Sequence, residues 1–80
     1  MWWLSFADPK KPKGKQFLGA CIVQALTFME ALQVAHILKI NPGGECRGSQ
    51  FQPGRKVPAK WTERLLTLKE CGQFDAEFPV

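Results

Sequence analysis

The sequence predicts a small α+β domain: a mainly antiparallel three-stranded sheet packed by one long helix, with two short C-terminal helices, in the order β-β-α-β-α-α. Three observations carry that reading. The chain opens on a two-residue alternation, its middle holds one helical repeat behind a capping signal, and its 80 residues leave room for a single domain over 1–80. A chain this short buries only about 60% of its unfolded surface, so the core is thin and dimerisation is the expected support. A 45% hydrophobic content with six Phe and three Trp argues against disorder.

The elements follow in order. Trp2 to Ala7 alternates, with Trp2, Leu4 and Phe6 on one side and Trp3, Ser5 and Ala7 on the other, the period of a strand. Asp8 and Pro9 break it, and Lys10 to Lys15 reads as a loop because its prolines and glycine oppose both ladders. Gln16 to Ala25 is apolar on both faces, which predicts a central strand joined to the first as a long-looped hairpin. Thr27 followed by Glu30 is a capping box, and Phe28, Ala31, Leu32, Ala35 and Leu38 recur at helical spacing, so a helix is expected over 27–39. Asn41-Pro42-Gly43-Gly44 is expected to stop it.

Glu45 to Phe51 reads as a partly solvated edge strand, with Glu45, Arg47, Ser49 and Phe51 on one face and Cys46, Gly48 and Gln50 on the other. Residues 52–58 form a linker, and Pro58 suits the first turn of a short helix through Leu66. Thr67 with Glu70 is a second capping box, predicting a last helix to about Phe74 and a fraying tail over 75–80.

Eleven Lys and Arg against seven Asp and Glu give a net charge of +4, modest for a protein that coats nucleic acid. The charge is uneven. Residues 1–60 hold nine cations and three acids, net +6, while residues 61–80 hold two and four, net −2. Three cysteines, Cys21, Cys46 and Cys71, cannot all pair within the chain and form no CxxC, which argues against a disulfide framework or zinc site and for a reducing cytoplasm. The start is too short in apolar residues for a signal peptide. The apolar window 17–38 is interrupted by Gln24, Glu30, Gln33 and His36, so no membrane span is expected.

Catalysis is not expected. His36, the one histidine, stands mid-helix with no nucleophile or acid at working spacing, and the acids form no pair at metal spacing, so neither a metal nor a cofactor is called for. Three features suit binding instead. Lys13 and Lys15 lie in a lysine-rich turn beside Asp8, which reads either as a solvated loop or as an anion site whose amides help to cradle phosphate; it is not a Walker A motif, since Gln16 stands where a hydroxyl is needed. Asn41, Gly43 and Gly44 form a turn where backbone can approach a ligand, followed by Glu45 and Arg47 on one strand face; the alternative is a helix-ending turn and a charge-defended edge. Trp2 and Trp3 must point to opposite faces, so one of them, with Trp61, fills the core or an interface or else stacks on a flat ligand. Trp3 and Ser5 are therefore included in the candidate site.

The start MWWLSFAD, the run FLGACIV followed by a helix, the turn INPGGE and the later PAKWTERLLT resemble a family of short uncharacterised proteins of bacteriophages and bacterial genomes. The resemblance spans nearly the whole chain and implies a phage or mobile-element accessory protein of the host cytoplasm. With the basic loop and the Gly-Gly turn, it suggests a homo-oligomer that binds a small anionic nucleotide-like ligand and sequesters a host immune signal. The alternative is a protein-interaction module that inhibits or adapts a host or phage protein through the edge strand. Nucleic acid ranks third.

Overall fold

The structure is a computed structural model and describes residues 1–52, 54 and 56–77. It has the expected α+β architecture: β1 (Trp2–Ala7), β2 (Phe17–Val23), α1 (Phe28–Ile37), β3 (Glu45–Gln50), a 3-10 turn over Ala59–Trp61, and α2 (Leu68–Glu77). The strands form one antiparallel sheet in the order β2-β1-β3.

The alternation in β1 becomes two separate apolar clusters, one on each face of the sheet. Leu4 and Phe6 point to one side, where they join Cys21 and Val23 of β2 beneath Ala31 and Ala35 of α1. The small residues at 31 and 35 let the helix lie close to the strands. On the other side Ala20 and Ile22 join Trp61, Leu66, Cys71 and Phe74, with Trp3 and Phe51 packed against them. Sequence reasoning placed the long helix on one face; the C-terminal segment covers the other.

That second cover also corrects the place of β2. The strand is apolar on both faces, as a central strand would be, yet it lies at the side of the sheet and β1 is central. Its outer edge is protected by a later segment: Ala20 and Leu66 exchange backbone hydrogen bonds (3.1 and 2.6 Å), and Glu63 N–H donates to the Ile22 carbonyl (2.9 Å). Residues 62–66 are therefore a strap, bent at Glu63 (φ 59), that bonds along the β2 edge, and the helix expected from Pro58 to Leu66 shrinks to one 3-10 turn.

α1 starts as predicted, with Thr27 Oγ1 accepting from Glu30 N–H (3.1 Å), but ends before the Asn-Pro-Gly-Gly turn. Lys39 adopts φ +60, its N–H donates to the His36 carbonyl, and Ile40 N–H donates to the Ala35 carbonyl, both at 3.0 Å. This is a Schellman motif with lysine at the position that usually holds glycine, and Ile40 returns its side chain to the α1 cluster. α2 has the full reciprocal box: Thr67 N–H donates to Glu70 Oε1 (3.1 Å) and Glu70 N–H to Thr67 Oγ1 (3.2 Å). It continues past the expected end at Phe74. Glu77 Oε2 accepts from Trp61 Nε1–H (3.0 Å) and Glu77 Oε1 meets Lys60 Nζ (3.2 Å), so Asp75 to Glu77 are held in the helix. Pro53 and Arg55 of the linker and residues 78–80 of the tail lie outside the described residues. No helix among the described residues is long and apolar enough to cross a membrane.

Candidate ligand-binding face

Strand register brings most of the predicted residues to one end of the sheet. Ala7 pairs with Phe17 on one side and Glu45 on the other, so the lysine loop and the Asn41–Gly44 turn flank the same strand end. Ser5 pairs with Arg47, one pair further in, on the face that carries Trp3 and Ser49. α2 packs over β2, and toward β3 this face stays open, with Ser5 half-buried and Glu45, Arg47 and Ser49 exposed.

The lysine loop is braced from within. Asp8 N–H donates to the Gln16 carbonyl (2.8 Å), Asp8 Oδ1 accepts from Lys10 N–H (3.0 Å), Lys11 N–H donates to the Asp8 carbonyl (3.2 Å) and Lys15 N–H to that of Pro12 (3.0 Å). The Gln16 amide spans the loop, donating to the carbonyls of Lys11 (3.0 Å) and Pro9 (3.4 Å). Four of the loop's amides are thus consumed locally, and what the loop offers a ligand is lysine side chains on a fixed frame. Gln16 is the residue that sequence reasoning undervalued, noted only as the wrong residue for a Walker motif.

Besides Asp8, which braces the loop, three predicted residues have structural roles. Trp3 sits at the far end of β1 and stacks on Phe74, with centroids 5.4 Å apart and planes at 25°, so it belongs to the second cluster. Asn41 Oδ1 accepts from Gly43 N–H (2.8 Å), closing the turn on itself. Gly44, at φ +74, lies against the Ala7 carbonyl and the Leu18 side chain, where a Cβ would collide, so the close approach its lack of side chain permits is to β1. Trp2 and Trp61 also find partners within the chain: Trp2 lies 6.0 Å from the Phe28 ring, and Trp61, 5% exposed, meets Phe74 edge-on at 5.8 Å.

Ser5, Asp8, Lys13, Lys15, Gly43, Glu45 and Arg47 therefore remain together at one end. The ion pairs among the described residues, Lys60–Glu77 and Arg64–Glu70, both lie in the C-terminal segment, so the cations of this face carry no counter-charge bond. A chain matching known proteins would gain a function by comparison. This one matches no family model, no curated protein and no solved structure.

A concavity lies at the opposite end of the sheet. It is an open groove of about 500 Å³ bordered by Met1, Gln24, Leu26, Glu30, Gln50 and Phe51, and it includes none of the predicted residues. Its lining is neutral and acidic. Among the described residues no group of three or more His, Cys, Asp and Glu could hold a metal, and His36 is exposed on α1. The buried thiols are poor nucleophiles: burial pushes Cys21 up to about 12, and burial first, then Asp75 and Glu70, raises Cys71.

Proposed function

We propose that the protein is a non-enzymatic accessory protein of phage type that binds and sequesters a small nucleotide-derived anion on the open face around Ser5 and Arg47. One observation supports the reading best: Arg47 pairs with Ser5 on the strand whose end carries the braced lysine loop, and neither Arg47 nor the loop's lysines form an ion pair among the described residues. An arginine offers a planar fork that grips phosphate in two places, a serine hydroxyl adds a donor and an acceptor, and mobile lysine heads neutralise further charge. Glu45, on the same strand face, can accept from the hydroxyl or amino groups that a nucleotide carries beside its phosphate. Because all three tryptophans pack against neighbours in the chain, recognition rests on charge and hydrogen bonding. Titration calorimetry against cyclic nucleotides and ADP-ribose derivatives tests this. Heat at a stoichiometric end point supports the reading, and no heat from any of them ends it.

A second reading is a protein-interaction module acting on a host or phage protein. Its support is the run of exposed apolar side chains before and along α1, Leu26 at 84%, Met29 at 65% and Ile37 at 75%. Stoichiometric capture of one protein partner, with no small molecule released on denaturation, would favour it.

A further inference from the structure

The two edges of the sheet are finished differently. The outer edge of β2 is closed by the strap through Glu63 and Leu66. β3 has no such cover among the described residues, and apart from half-buried Cys46 its residues are exposed. It contains no proline, and its register with β1 runs unbroken, whereas the β1–β2 register shifts between Phe6 and Ala7. Straight edges without bulge or proline are the ones that accept another strand.

Register also tells which peptide groups of β3 are free. Phe51 N–H donates to the Met1 carbonyl at 3.0 Å, which makes Met1–Phe51 a hydrogen-bonded pair. Alternation then makes Trp3–Ser49, Ser5–Arg47 and Ala7–Glu45 pairs of the same kind. The peptide groups of Glu45, Arg47 and Ser49 face β1, and those of Cys46, Gly48 and Gln50 face outward.

We infer that this edge pairs antiparallel with β3 of a second copy of the chain, about a two-fold axis through Gly48, to give one continuous six-stranded sheet. In that register Cys46 meets Gln50 of the second copy and Gly48 meets its own equivalent, so every outward peptide group of the strand is satisfied. Arg47 lies across from Ser49 of the second copy, where a hydroxyl can accept from it. An axis through Arg47 would set two guanidinium groups face to face, and one through Cys46 would leave Gln50 unpaired. On the α1 side, the Phe28 ring sits directly on Gly48, where any side chain would strike it, and is itself only half-buried. The axis brings the two rings together and covers them.

Pairing also doubles the candidate site. Each α2 lies toward β2, at the outer sides of the joined sheet, so Ser5, Arg47 and Ser49 of both copies floor a single trough. This last step rests on the ligand reading; the pairing stands on the strand geometry alone.

Mass measured by light scattering or sedimentation tests it. The wild type is expected at twice the 9.0 kDa chain mass. Gln50→Pro removes an outward N–H without removing a bond to β1, and is expected to give a monomer with unchanged far-ultraviolet dichroism. Ser49→Lys, at an exposed position, sets like charges across the axis and is expected to do the same, and it keeps the test decisive if Gln50→Pro fails to fold. A wild type that is monomeric at every concentration up to its solubility limit, or a dimer that survives Ser49→Lys, overturns the inference. Nucleotide calorimetry on the same samples separates the two claims: a dimer without heat sinks the ligand reading alone, and heat from a monomeric wild type sinks the pairing alone.

Discussion

The Trp61 indole N–H donates to Glu77 Oε2 at 3.0 Å, joining the 3-10 turn to the last turn of α2 across the second apolar cluster. The Lys60 ammonium, at 3.2 Å from the other carboxylate oxygen, completes a clamp that aims Trp61 edge-on at Phe74. The hydrogen bonds from Lys60 and then Trp61 hold the Glu77 carboxyl below its usual pKa. A lowered carboxylate stabilises the fold fully above the unfolded-state pKa and loses that contribution as pH falls through the folded one. Glu77→Gln is therefore expected to lower the melting temperature at neutral pH, with the gap to wild type closing in acid. A gap that stays constant from neutral pH into the acid range would refute the clamp.

Gly48 is a seat for Phe28, and the smallest added side chain meets the ring. Gly48→Ala should cost about 1–3 kcal/mol through overpacking. In a denaturant titration the loss should shrink when Phe28→Ala is made in the same chain, because the two residues share one contact. Additive effects of the two changes would mean that the contact does not matter.

Lys39 carries a left-handed backbone conformation at the end of α1. Glycine adopts it without the steric cost that a Cβ brings, about 1 kcal/mol. Lys39→Gly should raise the melting temperature by roughly 4–8 °C in a domain of this size. Unchanged or reduced stability would show that the lysine side chain contributes something that the geometry does not reveal.

These positions mark how far the sequence could be read. The β1 alternation, the full capping box at Thr67 and Glu70, the Thr27 half of the first box and the two faces of β3 follow from local chemistry and are found where the residues predict them. The strap along β2 is not local. Ala20 and Leu66 are far apart in sequence, so a strand covered on both faces and along one edge reads like a central one. The end of α1 falls within two residues of the expected Lys39, but the device that makes it was hidden, because left-handed caps are expected at glycine and the turn at 41–44 gave the stronger stop signal. In the candidate site, strand parity put Ser5 on one face of β1 and Arg47 on one face of β3, but their pairing was not legible, because a β2 expected at the centre would have stood between them. The inward duties of Trp3, Asn41 and Gly44 depend on what lies against them in space.

Lys13 and Lys15 are exposed, and their charges form no ion pair among the described residues. Replacing both with Ala should leave the melting temperature unchanged while weakening any nucleotide heat, and Arg47→Ala should weaken it further. Full binding by the triple variant would move the site elsewhere, with the groove beside Gln24 and Gln50 the next place to examine.

Thiol reactivity should follow burial. Cys21 is enclosed under α1 and Cys71 under the strap side of the sheet, while Cys46 is half-buried. With a disulfide reagent at neutral pH, Cys46 should react first, and the other two at the rate of unfolding. Rapid modification of all three in the folded protein would contradict the packing described.

The central strand of the sheet is also the first one in the chain. Residues 2–7 find β2 after the loop over 8–16, but their other side waits for residues 45–50 and their second face for residues 61–74. Loop closure costs least for the β1–β2 hairpin and more for the β3 and C-terminal contacts. Without the C-terminal segment Trp3 and Ile22 would lie bare on a two-sided sheet, so α2 and the strap are what make the second face of the sheet compatible with water.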